Sequence, residues 1–184
     1  MLKFYMNREL SSRLNIPLNR WKRWAREFLP PDPLGGLQSG YARQYNLRDA
    51  FTVYLAGYLV SGLGYSIPET RQILRDLNGW LQKDVIEPYR VVVESDAGAV
   101  GQTPRCDLMI VPTQRAAQPA FSYRVRTLLE RQALPREDGA VWQEQFVEKC
   151  IKPGAPTETG CYPACARWVD VTAVADLFFK RLSS

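Results

Sequence analysis

The sequence predicts an α+β protein, mostly helical in its N-terminal part and small and mixed α/β in its C-terminal part. Two patterns indicate this fold class. Apolar residues recur at helical spacing through residues 1–81, whereas short apolar runs separated by glycine and proline follow Pro88. The change of pattern divides the chain into two predicted domains, residues 1–84 and residues 85–184.

Two helices are predicted at the start of the chain. Asn7 is suited to capping the first, which continues to about residue 14 with Leu10 and Leu14 on its buried face. Pro17 suits the opening of the second helix, because its fixed backbone angle fits a first helical position and its missing N–H is not needed there. This second helix extends to about Phe28.

A loop and two further helices complete the first predicted domain. Residues 30–40 hold three prolines and three glycines, a composition that predicts a loop or hairpin. The third helix is predicted over residues 47–63. Ser66 and Glu69 form a capping box for a fourth helix that ends near Leu81. Residues 50–68 are uncharged, and a buried helix is expected there rather than a membrane span.

The C-terminal part is predicted to combine strands and helices. Strands are expected over residues 89–93, 108–111 and 167–169. Helices are expected over residues 121–131 and 141–150, although the second segment also fits an extended conformation. A last helix, capped by Asp170 or Thr172, is expected to end near Leu182. Five aromatic residues are expected in the core of this part: Trp142, Phe146, Trp168, Phe178 and Phe179.

The positive charge of the chain is concentrated near its start. The formal net charge is +5 at pH 7. Residues 1–50 contain nine lysines and arginines and four acidic residues, so they carry this entire excess. Such an asymmetry predicts an anionic partner for the N-terminal domain.

The second predicted helix has an apolar face and a cationic face at 100° per residue. The apolar face holds Leu18, Trp21, Trp24, Ala25 and Phe28. The cationic face holds Asn19, Lys22, Arg23 and Arg26. Arginine can bond guanine through two donors, and asparagine can bond adenine in a similar way, so this face suits a DNA major groove. A solvated basic face is the alternative interpretation.

The chain resembles the N-terminal domain of the MerR family in three segments that occur in the family's order: FYMNRELSSRLNIPLNRWKRWAREFLPP, GYARQYNLRDA and GYSIPETRQIL. The resemblance covers residues 4–81. It implies a winged helix-turn-helix fold in which helix 17–28 enters the major groove and the wing, residues 30–45, contacts the DNA backbone. Double-stranded DNA is therefore the expected partner.

The resemblance also implies which residues contact DNA. Asn19, Arg20, Lys22 and Arg23 are expected at base edges or adjacent phosphates, and Arg26 shares their cationic face. Each of these side chains carries hydrogen-bond donors that can bond base edges or phosphates. The second helix is thus the expected reading element.

In the wing, Tyr41 and Arg43 are expected at the phosphate backbone, where contacts position a protein without reading the base sequence. Ala42 is an extra residue between them relative to the family pattern, which changes the exact wing contact. Trp21 and Trp24 are expected in the core, because both lie on the apolar face of the second helix.

The chain departs from the family after the fourth helix. Members of the family typically continue into a long helix that pairs two subunits antiparallel. Here Gly79 and Pro88 are expected to break the helix, and no heptads follow. Dimerisation by that route is not expected, although residues 85–184 could bind an effector, a protein partner or a second copy of the chain.

The cysteines suggest no standard site. Cys161 and Cys165 lie in the motif CYPAC, eleven residues after Cys150, and the chain has no histidine. Three thiolates suit a soft metal, but this spacing fits no common zinc pattern, and cysteines are often simply buried. No metal or cofactor is expected, and binding of metal by these thiols stays an open alternative.

A sequence-specific transcription regulator is the leading functional hypothesis. An architectural DNA-bending protein similar to excisionases, and a protein-binding adaptor built on the same domain, are the alternatives. An enzyme is not expected, because the sequence shows no paired carboxylates, phosphate-binding glycine loop or nucleophile with a nearby base. The start of the chain has no secretory signal, so the cytoplasm is the expected location, with no membrane partner.

Overall fold

The computed structural model describes residues 4–32, 42–89, 105–113, 120–136, 139–151 and 166–183. The chain forms two units, Met1–Val100 with Val174–Ser184, and Gly101–Ala173. We call the first the helical unit and the second the sheet unit. The fold is mixed α and β, with helices followed by a sheet, which confirms the predicted fold class at this level.

The helical unit begins with strand β1, Tyr5–Met6, and helices α1, Asn7–Arg13, and α2, Leu18–Phe28. Both predicted helices are confirmed, but Asn7 is the first residue of α1 and not its cap. In the turn between them, Asn15 has a left-handed backbone with φ 53°. Asparagine is one of the few residues that tolerate this conformation.

Strand β2, Gln44–Tyr45, pairs antiparallel with β1 and precedes α3, Leu47–Ser61, and α4, Ile67–Trp80. The predicted capping box is confirmed, because the Ser66 hydroxyl and the Glu69 carboxylate each bond the other's backbone N–H. Helix α3 buries seven residues of the uncharged stretch. Within the described ranges, no helix is long and apolar enough to cross a membrane.

The helix breaks neither at Gly79 nor at Pro88, so that prediction is wrong. Helix α4 passes through Gly79 into a π-helical segment, Leu81–Ile86, and helical backbone continues to Tyr89. The side chains of Leu81, Val85 and Ile86 are buried, and their packing outweighs the roughly 1 kcal/mol by which glycine disfavours a helix. Tyr89 is therefore helical rather than the start of a strand, and residues 90–93 lie outside the described residues.

The last predicted helix is confirmed as α5, Val171–Ser183. From Val174 onward it belongs to the helical unit. The Phe178 ring meets Phe51 with centroids 5.3 Å apart, and the Phe179 ring stacks on Tyr89 at 4.4 Å. Both phenylalanines are buried as predicted, but in the core of the helical unit and not in that of the C-terminal part.

The sheet unit contains four antiparallel strands: β3, Cys106–Thr113; β4, Ala120–Arg136; β5, Gly139–Ile151; and β6, Arg167–Asp170. Their order across the sheet is β5-β4-β3-β6. The strands predicted over residues 108–111 and 167–169 are confirmed. The helix predicted over residues 121–131 is wrong, because this segment belongs to strand β4. For residues 141–150 the extended alternative is confirmed as strand β5, and the helix is wrong.

The strand alternation explains where the aromatic residues of the sheet unit lie. Phe121 and Tyr123 are buried on one face of β4. Trp142 is 53% exposed and Trp168 is 42% exposed, so their predicted core positions are wrong. Successive side chains of a strand point to opposite faces, which places these indoles outward from β5 and β6. Phe146 is half-buried, under the guanidinium of Arg126 at 4.3 Å.

Candidate nucleic-acid interface

The centre of the apolar face of α2 is buried, with both tryptophans in the core as predicted, while Leu18 and Phe28 are half-buried. Trp21 is fully buried, and Trp24 and Ala25 are buried beside it. The Trp21 ring meets the ring of Tyr45 edge to face, with centroids 5.7 Å apart, a geometry favoured by aromatic quadrupoles. Because Tyr45 lies in β2, this contact fixes α2 against the small sheet formed by β1 and β2.

A glycine in α3 makes room for the second tryptophan. A Cβ atom at Gly57 would lie 2.2 Å from Trp24 Cζ3, far closer than carbon atoms approach without overlap. The indole of Trp24 therefore packs directly on the backbone of α3. This contact sets how closely α2 and α3 approach each other.

The opposite face of α2 presents five polar side chains to solvent, and we call it the basic face: Asn19, Arg20, Lys22, Arg23 and Arg26. The structure thus brings together all of the residues that the sequence predicted on this helix. Across the described parts of the chain, no carboxylate forms an ion pair with any of the four cations. Their charges are available to an anionic ligand.

Two residues of the basic face also make contacts within α2. The Asn19 side-chain oxygen accepts a hydrogen bond from the Arg20 backbone N–H at 2.8 Å. To bond adenine through both the oxygen and the nitrogen of its amide, the Asn19 side chain would have to rotate. The guanidinium of Arg20 lies 6.0 Å from the centroid of the Trp24 ring, at the border between the two faces. Lys22, Arg23 and Arg26 have no such contact among the described residues.

Arg43 is half-buried beside the aromatic cluster under α2. Its guanidinium carbon lies 5.6 Å from the centroid of the Tyr45 ring, and the Tyr45 hydroxyl donates to Asn7 Oδ1 at 2.7 Å. Burial raises the pKa of the Tyr45 hydroxyl, and the Arg43 charge partly opposes that shift. The hydroxyl therefore remains a donor at neutral pH. Tyr41, the other predicted wing residue, lies outside the described residues.

Helix α5 holds the turn that precedes α2. Arg181 Nη1 donates to the Leu14 carbonyl oxygen at 3.0 Å, and Arg13 Nη1 donates to the Leu182 carbonyl oxygen. Arg181 thus bonds the carbonyl of the residue that follows Arg13, and Arg13 bonds the carbonyl of the residue that follows Arg181. Guanidinium donors suit this role because they present several N–H groups in a fixed plane.

Sequence reasoning missed the residues that support the basic face. Gly57 has a recognisable signal, because an isolated glycine inside an apolar helical pattern commonly marks a close packing contact. Arg181 gives no local signal, since it lies 167 residues from its partner. Arg71 of α4, which bonds Glu27 of α2, gives none either.

The arginines of the sheet unit have a different environment. Arg124 pairs with Glu148 at 3.3 Å, and Arg131 pairs with Glu144 at 3.4 Å while its guanidinium covers Trp142 at 4.1 Å. These charges are balanced by neighbouring carboxylates. The cationic surface of α2 has no counterpart of equal charge among the described residues of the sheet unit.

The structure describes two of the four cysteines. Cys106 is half-buried, with its Sγ 4.0 Å from Thr127 Oγ1, and Cys150 is an exposed free thiol. Cys161 and Cys165 of the CYPAC motif lie outside the described residues. In the described segments, no group of three or more histidine, cysteine, aspartate or glutamate residues could hold a metal ion.

No protein-family model, curated protein or solved structure matches this chain.

Proposed function

We propose that the protein is a sequence-specific DNA-binding transcription regulator that inserts α2 into the major groove. One observation carries the proposal: five exposed polar side chains lie on one face of a helix whose other face is fixed by two buried tryptophans. A reading helix needs both properties. Its donors must reach base edges, and its position must be rigid enough for those donors to discriminate between bases.

The distribution of charge supports this proposal. Lys22, Arg23 and Arg26 have no described carboxylate as an ion-pair partner, so phosphate or guanine can bond them without first breaking an ion pair. Arg43 lies at the end of the predicted wing and supplies a further cation for the backbone. The turn between α1 and α2, with Asn15 in the left-handed region, fits the helix-turn-helix interpretation of the sequence.

Selection of bound duplexes from a random library by the full chain tests the proposal. A regulator should enrich one short motif. Enrichment of no motif, with bending of many duplexes, would favour the architectural alternative, and absence of binding would favour the adaptor.

A matched pair of variants then locates the surface. Lys22→Gln with Arg23→Gln removes two charges from the basic face, and Arg75→Gln with Lys83→Gln removes two from exposed positions elsewhere in the helical unit. The first pair should abolish motif selection, and the second should leave the motif unchanged. An equal loss in both would contradict the assignment of α2.

A further inference from the structure

Arg71 of α4 binds the last turn of α2 at two points. Its Nε donates to the Glu27 carbonyl oxygen at 2.7 Å, and its Nη2 donates to Glu27 Oε2 at 2.5 Å. The last carbonyls of a helix have no partner within the helix. Here the residue four positions after Glu27 is Pro31, which has no N–H to offer. Arg71 thus supplies the donor that the backbone after α2 lacks at Pro31.

Glu27 is the only acidic residue of α2. It follows Arg23 by four residues, and side chains with that spacing are neighbours on a helix surface. A carboxylate released at Glu27 would be within reach of the Arg23 guanidinium. It would then compete with a guanine base for the same donors and place a negative charge near the phosphates. In the structure the carboxylate is paired with Arg71 instead.

We infer that Arg71 is a positioning residue for the basic face: it holds the Glu27 carboxylate away from Arg23 and so keeps the Arg23 guanidinium available for guanine. This inference rests on the proposed function. It adds a residue from a different helix to the reading surface, although Arg71 itself contacts no base. Its contribution to DNA binding passes entirely through Glu27.

The chain offers a close control. Arg75 lies one helical turn after Arg71 on α4, is exposed, and bonds Gln72 at 3.2 Å rather than any residue of α2. Arg75→Ala therefore removes the same charge from the same helix without releasing Glu27. Any general loss of electrostatic attraction to DNA is measured by this variant.

The test measures the dissociation constants of the full chain for a duplex carrying the selected motif and for a scrambled duplex. Arg71→Ala should weaken binding to the motif about five- to tenfold more than binding to the scrambled duplex, a fraction of the discrimination that one bidentate arginine provides. Arg75→Ala should weaken both duplexes by a similar small factor. In a Glu27→Gln background, Arg71→Ala should no longer reduce discrimination, because no carboxylate remains to compete.

Three outcomes would overturn the inference. Equal effects of Arg71→Ala and Arg75→Ala would show that only charge matters. An undiminished effect in the Glu27→Gln background would show that Arg71 acts by fixing the helix end. Loss of discrimination in Glu27→Gln alone would show that the carboxylate itself is needed. Failure of the unmodified chain to bind any duplex overturns the proposed function as well, and this arm is read before the variants are compared.

Stability of each variant is measured by thermal unfolding. The Arg71 side chain is 48% exposed, so its replacement leaves the core intact. Exposed ion pairs contribute little to stability. If Arg71→Ala nevertheless unfolds, Glu27→Gln decides the matter, since it retains Arg71 and should bind the motif at least as tightly as the unmodified chain.

Discussion

The indole of Trp24 occupies the space that a side chain at Gly57 would require, with Cζ3 only 2.2 Å from the position of a Cβ atom. Glycine in a helix interior costs roughly 1 kcal/mol relative to alanine. The close approach of α2 and α3 accounts for glycine at this position. The position of the basic face thus depends on Gly57, which packs against the opposite face of α2.

Gly57→Ala should destabilise the protein by about 1–3 kcal/mol, because the added methyl group overlaps a buried ring and forces α2 or α3 to shift. Chemical denaturation of the full chain measures the change. Gly79→Ala is the matched control, since nothing lies within 4 Å of a Cβ atom there. That control should be neutral or stabilise the protein by up to about 1 kcal/mol. Equal stability of Gly57→Ala and the unmodified chain would contradict the packing argument.

Phe178→Ala should cost about 3–5 kcal/mol, because it removes a fully buried ring from the core of the helical unit. The ring contacts Phe51 and Tyr54, so the loss affects α3 directly. Leu177→Ala on the same helix is the control, and its 43% exposed side chain should change stability by less than about 0.5 kcal/mol. Similar melting temperatures for the two variants would argue against α5 as part of this core.

Arg23→Ala should weaken binding to the preferred duplex by about 1–3 kcal/mol and reduce discrimination at one base pair. Arg23 is exposed on the basic face and has no described ion-pair partner. Titration of the preferred duplex and of duplexes altered at single positions measures the effect. An unchanged preference at every base pair would exclude Arg23 from direct reading.

Arg43→Ala should weaken binding to all duplexes by a similar factor, because a phosphate contact does not depend on base sequence. The logarithmic dependence of affinity on salt should become shallower by about one unit, since one fewer counterion is released. Titrations at several salt concentrations measure this slope, with Arg75→Ala as the control. A loss confined to the preferred duplex would instead place Arg43 at a base edge.

The helices of the first half could be predicted because their signals are local. The capping box of Ser66 and Glu69, the proline before α2 and the spacing of Trp21 and Trp24 all act within a few residues. The grouping of the basic side chains follows from the same helical period. Local geometry therefore predicts both the basic face of α2 and its buried face.

Strand β4 could not be predicted in this way, and for β5 an extended conformation was only one of two alternatives. Residues such as Leu128, Glu130 and Glu144 favour helices locally, but pairing across the sheet overrides that preference. Arg131 lies opposite Glu144 in the register, and Arg126 covers Phe146. These contacts join segments that the sequence presents separately, so helical propensity pointed to the wrong structure.

The supports of the basic face were missed for the same reason. Arg71 and Arg181 act on α2 and its preceding turn from distant parts of the chain. A surface residue of a single sequence shows no pattern that would reveal such a partner. The basic face could thus be predicted, while the residues that hold α2 in place could not.

The position of α5 determines the order in which this protein can fold during its synthesis. Phe51 leaves the ribosome long before Phe178, and the whole sheet unit is translated between the α4 region and Val174. Domains that are continuous in sequence can fold as they emerge from the ribosome. A core that is closed by distant segments folds only after the last of them is made, and its loop-closure entropy cost is larger. A nascent chain that has already exposed α2 therefore still lacks Phe178, which packs on α3, and Arg181, which bonds the turn before α2. We expect the helical unit to reach its full stability only after α5 has been made.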